Sequence, residues 1–170
     1  PVVVHFSGEM PGGTLLVEVR QPAQGSTVPR VVDGPGEVDL LGLGRVRLHA
    51  PFADSRRLWL ATATIDDGAT LLELLATHGR PIRYRHVPRE WPIEAYQTVF
   101  AREPGSVEMP SAARPFSTRL VTDLVARGVG VAPLVLHTGV SSLEGEERPY
   151  PERYRVPRAT ASAIDATRDD

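Results

Sequence analysis

Glycine- and proline-rich breaks divide the first 66 residues into runs that read as short strands. Pro11-Gly12-Gly13, Gly34-Pro35-Gly36, Gly42-Leu43-Gly44 and Asp66-Asp67-Gly68 are the breaks. Between them lie runs that read as strands: Val2–Phe6, Thr14–Arg20, Glu37–Leu41, Arg45–His49 and Arg57–Ile65. Val17 and Val19, then Val46 and Leu48, alternate with polar neighbours. That period of two is what a half-buried antiparallel strand requires, because successive side chains leave opposite faces. Short strands at close turn spacing predict a small barrel or sandwich.

The pattern then changes twice. Residues Ala69 to Thr77 predict one helix, with Leu71, Leu72, Leu74 and Leu75 on overlapping faces and Gly79 as its stop. Residues 80–95 carry three prolines (Pro81, Pro88, Pro92) and four arginines (Arg80, Arg83, Arg85, Arg89), and read as an extended basic linker. Beyond it the reading becomes α/β. Ser117 or Thr118 caps a helix to about Arg127, with Leu120, Val121, Leu124 and Val125 as its apolar face and Gly128 closing it. Val129 to Leu136 predicts a strand covered on both faces, although Pro133 inside it suits an edge or a bulge better. Gly139 to Tyr154 reads as a polar loop, and Pro157 precedes a helix over Arg158 to Arg168. The expected organisation is a β-barrel-like module with a short helix and the basic linker over 1–88, and a partial α/β module over 89–170. Both ends read as cut, since the chain starts inside a strand-like run and stops soon after a helix start.

Composition narrows the function classes. A net charge of -2 means that any nucleic-acid surface must be local. With no cysteine there is no disulfide, thiolate metal site or Cys nucleophile, and with no lysine there is no Schiff-base amine. No apolar run approaches the ~20 residues of a membrane helix, and the N-terminus lacks the pattern of a signal peptide, which favours the cytoplasm. The chain holds no phosphate-cradling loop, no zinc-binding His-Glu-x-x-His and no nucleophile elbow. A hairpin turn explains Gly42-Leu43-Gly44 better than a dinucleotide loop does.

Three places carry chemistry. His137 follows the apolar run and precedes Thr138-Gly139, a strand's carboxyl end where ligands bind in open α/β sheets. A histidine there exchanges protons near neutral pH, or simply satisfies loop backbone. Arg80, Arg83, Arg85 and Arg89, interleaved with Tyr84, His86 and Trp91, suit phosphate contact and base stacking, or a solvated linker. Glu144, Glu146 and Glu147 form an acidic loop that offers a general base or only a solvated surface. No residue cluster supports a metal.

Tyr96-Gln97-Thr98-Val99-Phe100-Ala101, Pro104-Gly105-Ser106-Val107 and Pro110-Ser111-Ala112 follow one another in an order and spacing that resemble the signature of the S-adenosylmethionine:tRNA ribosyltransferase-isomerases. Leu136-His137-x-Gly139 is similar to that family's Leu-His-Val-Gly, and Tyr154-x-Val156-Pro157 to its Tyr-x-Val-Pro. The resemblance is strong over about residues 96–165. It is weak over the first module, which is similar to the family's inserted β-barrel domain chiefly at Gly12-Gly13 and Val17-Glu18-Val19.

The resemblance implies an α/β fold with an inserted all-β barrel-like domain, and an incomplete chain. It implies transfer and isomerisation of the ribosyl moiety of S-adenosylmethionine onto 7-aminomethyl-7-deazaguanine in tRNA, giving epoxyqueuosine. It implies S-adenosylmethionine as co-substrate, tRNA as partner, and no metal. Tyr96, Gln97, Thr98, Ser111 and Gly139 become substrate-binding candidates sharing one pocket with His137, the best catalytic candidate. Arg80, Arg83, Arg85 and Arg89 become RNA-contact candidates. Where the family has Pro-Thr-Ala-Gly-Leu-His-Phe, this chain has Pro110-Ser111-Ala112-Ala113-Arg114-Pro115-Phe116, and the family's later His-rich stretch is missing. Losing those proton carriers predicts retained S-adenosylmethionine binding with weak or absent turnover. A non-catalytic RNA-binding module, and a same-fold enzyme acting on another S-adenosylmethionine-derived substrate, are the alternatives.

Overall fold

A computed structural model describes residues 1–53, 55, 57–83, 86–109, 111–139 and 151–168. The chain divides into two compact units, one built on Pro1–Ala95 and the other beginning at Tyr96.

The first unit is an antiparallel sheet. Its strands are β1 (Val3–Glu9), β2 (Leu15–Ala23), β3 (Ser26–Pro29), β4 (Gly36–Asp39), β5 (Gly44–Pro51) and β6 (Leu58–Ile65). They run in the order β1-β2-β6-β5-β4, with β3 alongside β2. β5 shows why the sequence alternation works: Val46 and Leu48 point inward while Arg45, Arg47 and His49 point out. Val17, Val19, Val46, Leu48, Trp59 and Ala61 form the buried core on that face. Removing each large aliphatic side chain from water contributes about 1.5–3 kcal/mol. The β4–β5 turn is held by the Gly42 N–H donating to Asp39 Oδ1 at 3.0 Å and the Leu40 N–H donating to the Gly44 carbonyl at 2.8 Å. Gly44 has φ +148°, and a Cβ there would collide with the Thr64 carbonyl oxygen across the strand pair.

The expected barrel does not close. Among the described residues β1 and β4 lie at opposite ends of the sheet path and do not pair, whereas a barrel requires its terminal strands to meet. Two features direct this outcome. β4 offers only four residues, and the far half of β2, Arg20–Ala23, takes β3 as partner instead of extending its ladder with β6.

The other face of β2 is polar at its centre. Glu18 is only 2 % exposed and lies between two guanidiniums: it accepts from Arg57 Nη1 at 3.0 Å and pairs with Arg20. Arg20 also donates through Nε to Thr27 Oγ1 at 2.7 Å, joining β2 to β3. His5 stands opposite Glu18 in the ladder. Burial, then the positive charges of Arg20 and Arg57, lower its pKa from 6.5 to about 4.

That shift sets a stability prediction. His5 is neutral in the fold but binds a proton below about pH 6.5 once unfolded. Stability from this residue is therefore full above pH 6.5 and falls as pH drops from 6.5 towards 4. The unscreened ceiling is about 3 kcal/mol, and partial exposure of the ring brings the expected loss to about half of that. Denaturant midpoints measured between pH 7 and 4 should fall less steeply in His5→Gln than in the wild type. Parallel pH profiles would show that His5 does not drive the loss.

α1 (Leu71–His78) follows β6 and is capped as its sequence dictates. Thr70 Oγ1 accepts from the Glu73 N–H at 3.3 Å, and the Glu73 carboxylate accepts from the Thr70 N–H at 2.7 Å. The linker after α1 is tied back to the β2–β3 hairpin, with Ser26 Oγ donating to the Arg83 carbonyl at 2.8 Å.

The second unit holds α2 (Thr118–Ala126), β7 (Val135–His137), β8 (Arg153–Arg155) and α3 (Arg158–Arg168). Ser117 caps α2 by accepting the Leu120 N–H at 3.1 Å. The expected strand over Val129–Leu136 shrinks to Val135–His137, which among the described residues pairs with β8 alone in an antiparallel sheet of two strands. Pro133 has no N–H to give a ladder. The run is not covered on both faces either: Val129, Val131, Leu134 and Leu136 are all exposed. Arg153 and Tyr154, expected in a loop, lie in β8. Thr160 on α3 is buried and donates to the Pro133 carbonyl at 2.5 Å, which fixes that helix against the segment leading into β7.

Candidate functional site

His137 is the last residue of β7, and the chain around it is clamped from two sides. On one side the segment Gly105–Glu108 runs beside the strand end. The Val107 N–H donates to the Thr138 carbonyl at 2.8 Å, and Thr138 Oγ1 donates to the Glu108 carbonyl at 2.5 Å. Ser106 Oγ bridges, donating to the Leu136 carbonyl at 3.4 Å and accepting from the Thr138 N–H at 3.3 Å. On the other side β8 sets Arg153 directly opposite His137. Glu152, next to it, accepts the buried Gly139 N–H at 2.7 Å. The turn His137-Thr138-Gly139 is thus fixed by backbone and carboxylate together.

The His137 ring is pressed onto Gly105. A Cβ at Gly105 would lie 2.6 Å from His137 Nδ1, 2.8 Å from Cε1 and 3.2 Å from Arg153 Nη2. Gly105 has φ +138°, so both the backbone and the close approach require glycine. Nδ1 is buried and has no hydrogen-bond partner among the described residues.

The other expected residues are placed as follows. Tyr96 ends the short 3-10 turn Ile93–Tyr96, and Gln97 and Thr98 come directly after it. Thr98 shapes the next turn: its carbonyl accepts from the Ala101 N–H at 3.0 Å and its Oγ1 from the Phe100 N–H at 3.3 Å. Ser111 opens the 3-10 turn Ser111–Ala113, where its carbonyl accepts from the Arg114 N–H at 3.1 Å. Phe100 and Phe116 bring these two stretches together, with ring centroids 5.5 Å apart. In the linker, the Arg83 guanidinium lies against Gly25, the Arg89 guanidinium sits 3.8 Å from the centre of the Trp91 ring, and Arg80 is exposed. Arg85 and Tyr84, and Glu144, Glu146 and Glu147, fall outside the described residues. No group of three or more His, Cys, Asp or Glu side chains able to hold a metal occurs among the described residues.

Gly105, Ser106, Glu152 and Arg153 share the His137 neighbourhood without having been singled out individually. The first two lie within the Pro104–Val107 motif, so their presence was signalled. Glu152 and Arg153 precede Tyr154-x-Val156-Pro157 and carried no signal of their own.

Residues 19–170 match in sequence the family described as queuosine biosynthesis protein. The chain belongs to that family. It is similar to the S-adenosylmethionine:tRNA ribosyltransferase-isomerase of Aromatoleum aromaticum, 34% identical over 168 residues, which is 90% of this chain and 44% of that protein. The enzyme of the same name from Thermotoga maritima is 31% identical over 118 residues, 61% of this chain and 35% of its own length. That of Geobacter sulfurreducens is 42% identical over 83 residues, covering 44% and 24%. This chain therefore spans less than half the length of the curated relatives it matches. No solved structure matches it.

Proposed function

We propose that this protein takes part in transferring and isomerising the ribosyl moiety of S-adenosylmethionine onto 7-aminomethyl-7-deazaguanine in tRNA, the step that gives epoxyqueuosine. The observation that carries the reading is the family match over residues 19–170. S-adenosylmethionine is the co-substrate, tRNA the partner and the cytoplasm the place of action. Among the described residues no helix is long and apolar enough to cross a membrane.

The roles follow from chemistry. Attack on the sulfonium-bearing ribosyl group needs a base for the neighbouring carbon's proton and a donor for the leaving adenine. In this reading His137 touches the reacting ligand. Tyr96, Gln97, Thr98 and Ser111 supply hydroxyl and amide contacts in the same pocket, and Gly139 lets backbone approach closely. Arg80, Arg83, Arg85 and Arg89 meet RNA phosphates. Pro115 stands where the family signature has histidine, so binding of S-adenosylmethionine should persist while turnover is weak.

Incubating the protein with S-adenosylmethionine and tRNA carrying the 7-deazaguanine precursor tests this. Slow adenine release is the expected result. Release as fast as from a relative with the complete signature would show that the substituted histidine is dispensable. No binding of S-adenosylmethionine at all would overturn the reading.

A second reading has its own observation. Arg89 stacked on the half-exposed Trp91 at 3.8 Å is a platform of the kind that accepts an unpaired base. An RNA-binding module without chemistry would bind tRNA and release no adenine.

A further inference from the structure

We propose that His137 serves as a hydrogen-bond donor through Nε2–H, held in that tautomer by Gly105, and not as the base that takes a proton. The proposal rests on the reading above for the identity of its ligand, but its physical argument is local.

A neutral imidazole has one N–H and one lone pair, and the environment of one nitrogen dictates the state of the other. Nδ1 of His137 is buried with no hydrogen-bond partner among the described residues. What faces it is the backbone of Gly105, close enough that a Cβ there would lie 2.6 Å from Nδ1. A proton on Nδ1 would be a buried donor with no acceptor among the described residues. A lone pair on Nδ1 facing the Gly105 backbone strands no donor. The Nε2–H tautomer is therefore the preferred one, because an unpaired buried lone pair is tolerated better than an unpaired buried N–H.

The consequence for chemistry is a choice of role. To act as a base through Nε2, the ring must already carry its proton on Nδ1, and taking a second proton would still leave that Nδ1–H buried and unpaired. The geometry opposes both. As a donor, Nε2–H needs no change at Nδ1. The group it recognises is a neutral lone pair, and in the proposed reaction the fitting one is a ring nitrogen of the departing adenine. No covalent step at His137 is needed: the hydrogen bond strengthens as electrons flow onto the purine.

Gly105 is then a positioning residue. Any side chain there drives the ring off its seat, because Nδ1, Cε1 and Arg153 Nη2 all lie within 3.2 Å of where the Cβ would go.

The test has two arms. Nitrogen-15 NMR of the histidine rings at pH 7, with the His137 signals assigned by their loss in His137→Gln, should show Nδ1 bare and Nε2 protonated. An Nδ1–H tautomer, or an imidazolium, would overturn the proposal whatever the protein's activity. Gly105→Ala should mix or reverse the tautomer, and His137 signals unchanged in that variant would refute the positioning role. The second arm compares adenine release in His137→Gln and His137→Ala. Glutamine places an amide N–H near the Nε2 position, so it should retain at least tenfold more rate than alanine. Equal loss in both would count against a donor role. If the wild type releases no adenine, the functional reading fails and the NMR arm alone decides the tautomer.

Discussion

His137→Ala should lower adenine release by about 10²–10⁴-fold from the rate the protein sustains, the usual cost of removing one well-placed acid–base or donor group. The loss should fall on kcat more than on KM, because a bond to the leaving group matters most in the transition state. His49→Ala is the control. His49 is an exposed β5 residue whose Nε2 lies 3.0 Å from Thr62 Oγ1, and its removal should leave the rate unchanged. A His137→Ala protein as active as the wild type would remove this residue from the mechanism.

The largest stability effect should come from Glu18. Its carboxylate is 2 % exposed and neutralises two arginines, one of them, Arg57, itself 7 % exposed. Glu18→Ala removes the carboxylate that pairs with both guanidiniums at a buried site, and breaking a buried ion pair costs about 3–5 kcal/mol. Replacing Arg57 as well, as in Glu18→Leu with Arg57→Leu, should cost less, since only Arg20 then loses this carboxylate. Chemical denaturation of the three proteins checks this. A loss under ~1 kcal/mol in Glu18→Ala would show that water reaches the pair freely.

Much of the first unit was legible because its strands carry their burial pattern in sequence. Val46 and Leu48 against Arg45 and Arg47 can sit on a sheet in only one way. The cap residue Ser117 was legible because it satisfies an orphan amide within three residues, whereas the cap of α1 is Thr70 and the helix was expected from Ala69. What failed was non-local. The strand Ser26–Pro29 has no apolar alternation and exists because Arg20 and Gln21 offer it a ladder. Its presence on β2 is part of why the sheet stays open, and no local signal announces it. Val129–Leu136 misled because an apolar run implies a cover, and the cover is not among the described residues. At the site, His137 stood out by its position after an apolar run. The clamp of Gly105, Ser106 and Glu152 around it depends on contacts across 13 to 32 residues, which spacing cannot reveal.

The distribution of buried side chains has a consequence for motion. Every buried apolar residue of the described structure, from Leu16 to Ala61, belongs to the first unit, and α2 contains none. Amide protons of β2, β5 and β6 should therefore exchange with deuterated solvent only when the whole sheet opens, over hours or longer. Those of α2 and the β7–β8 pair should exchange through small local openings, in seconds to minutes. The two halves of this chain then keep different clocks, and the histidine turn keeps the faster one.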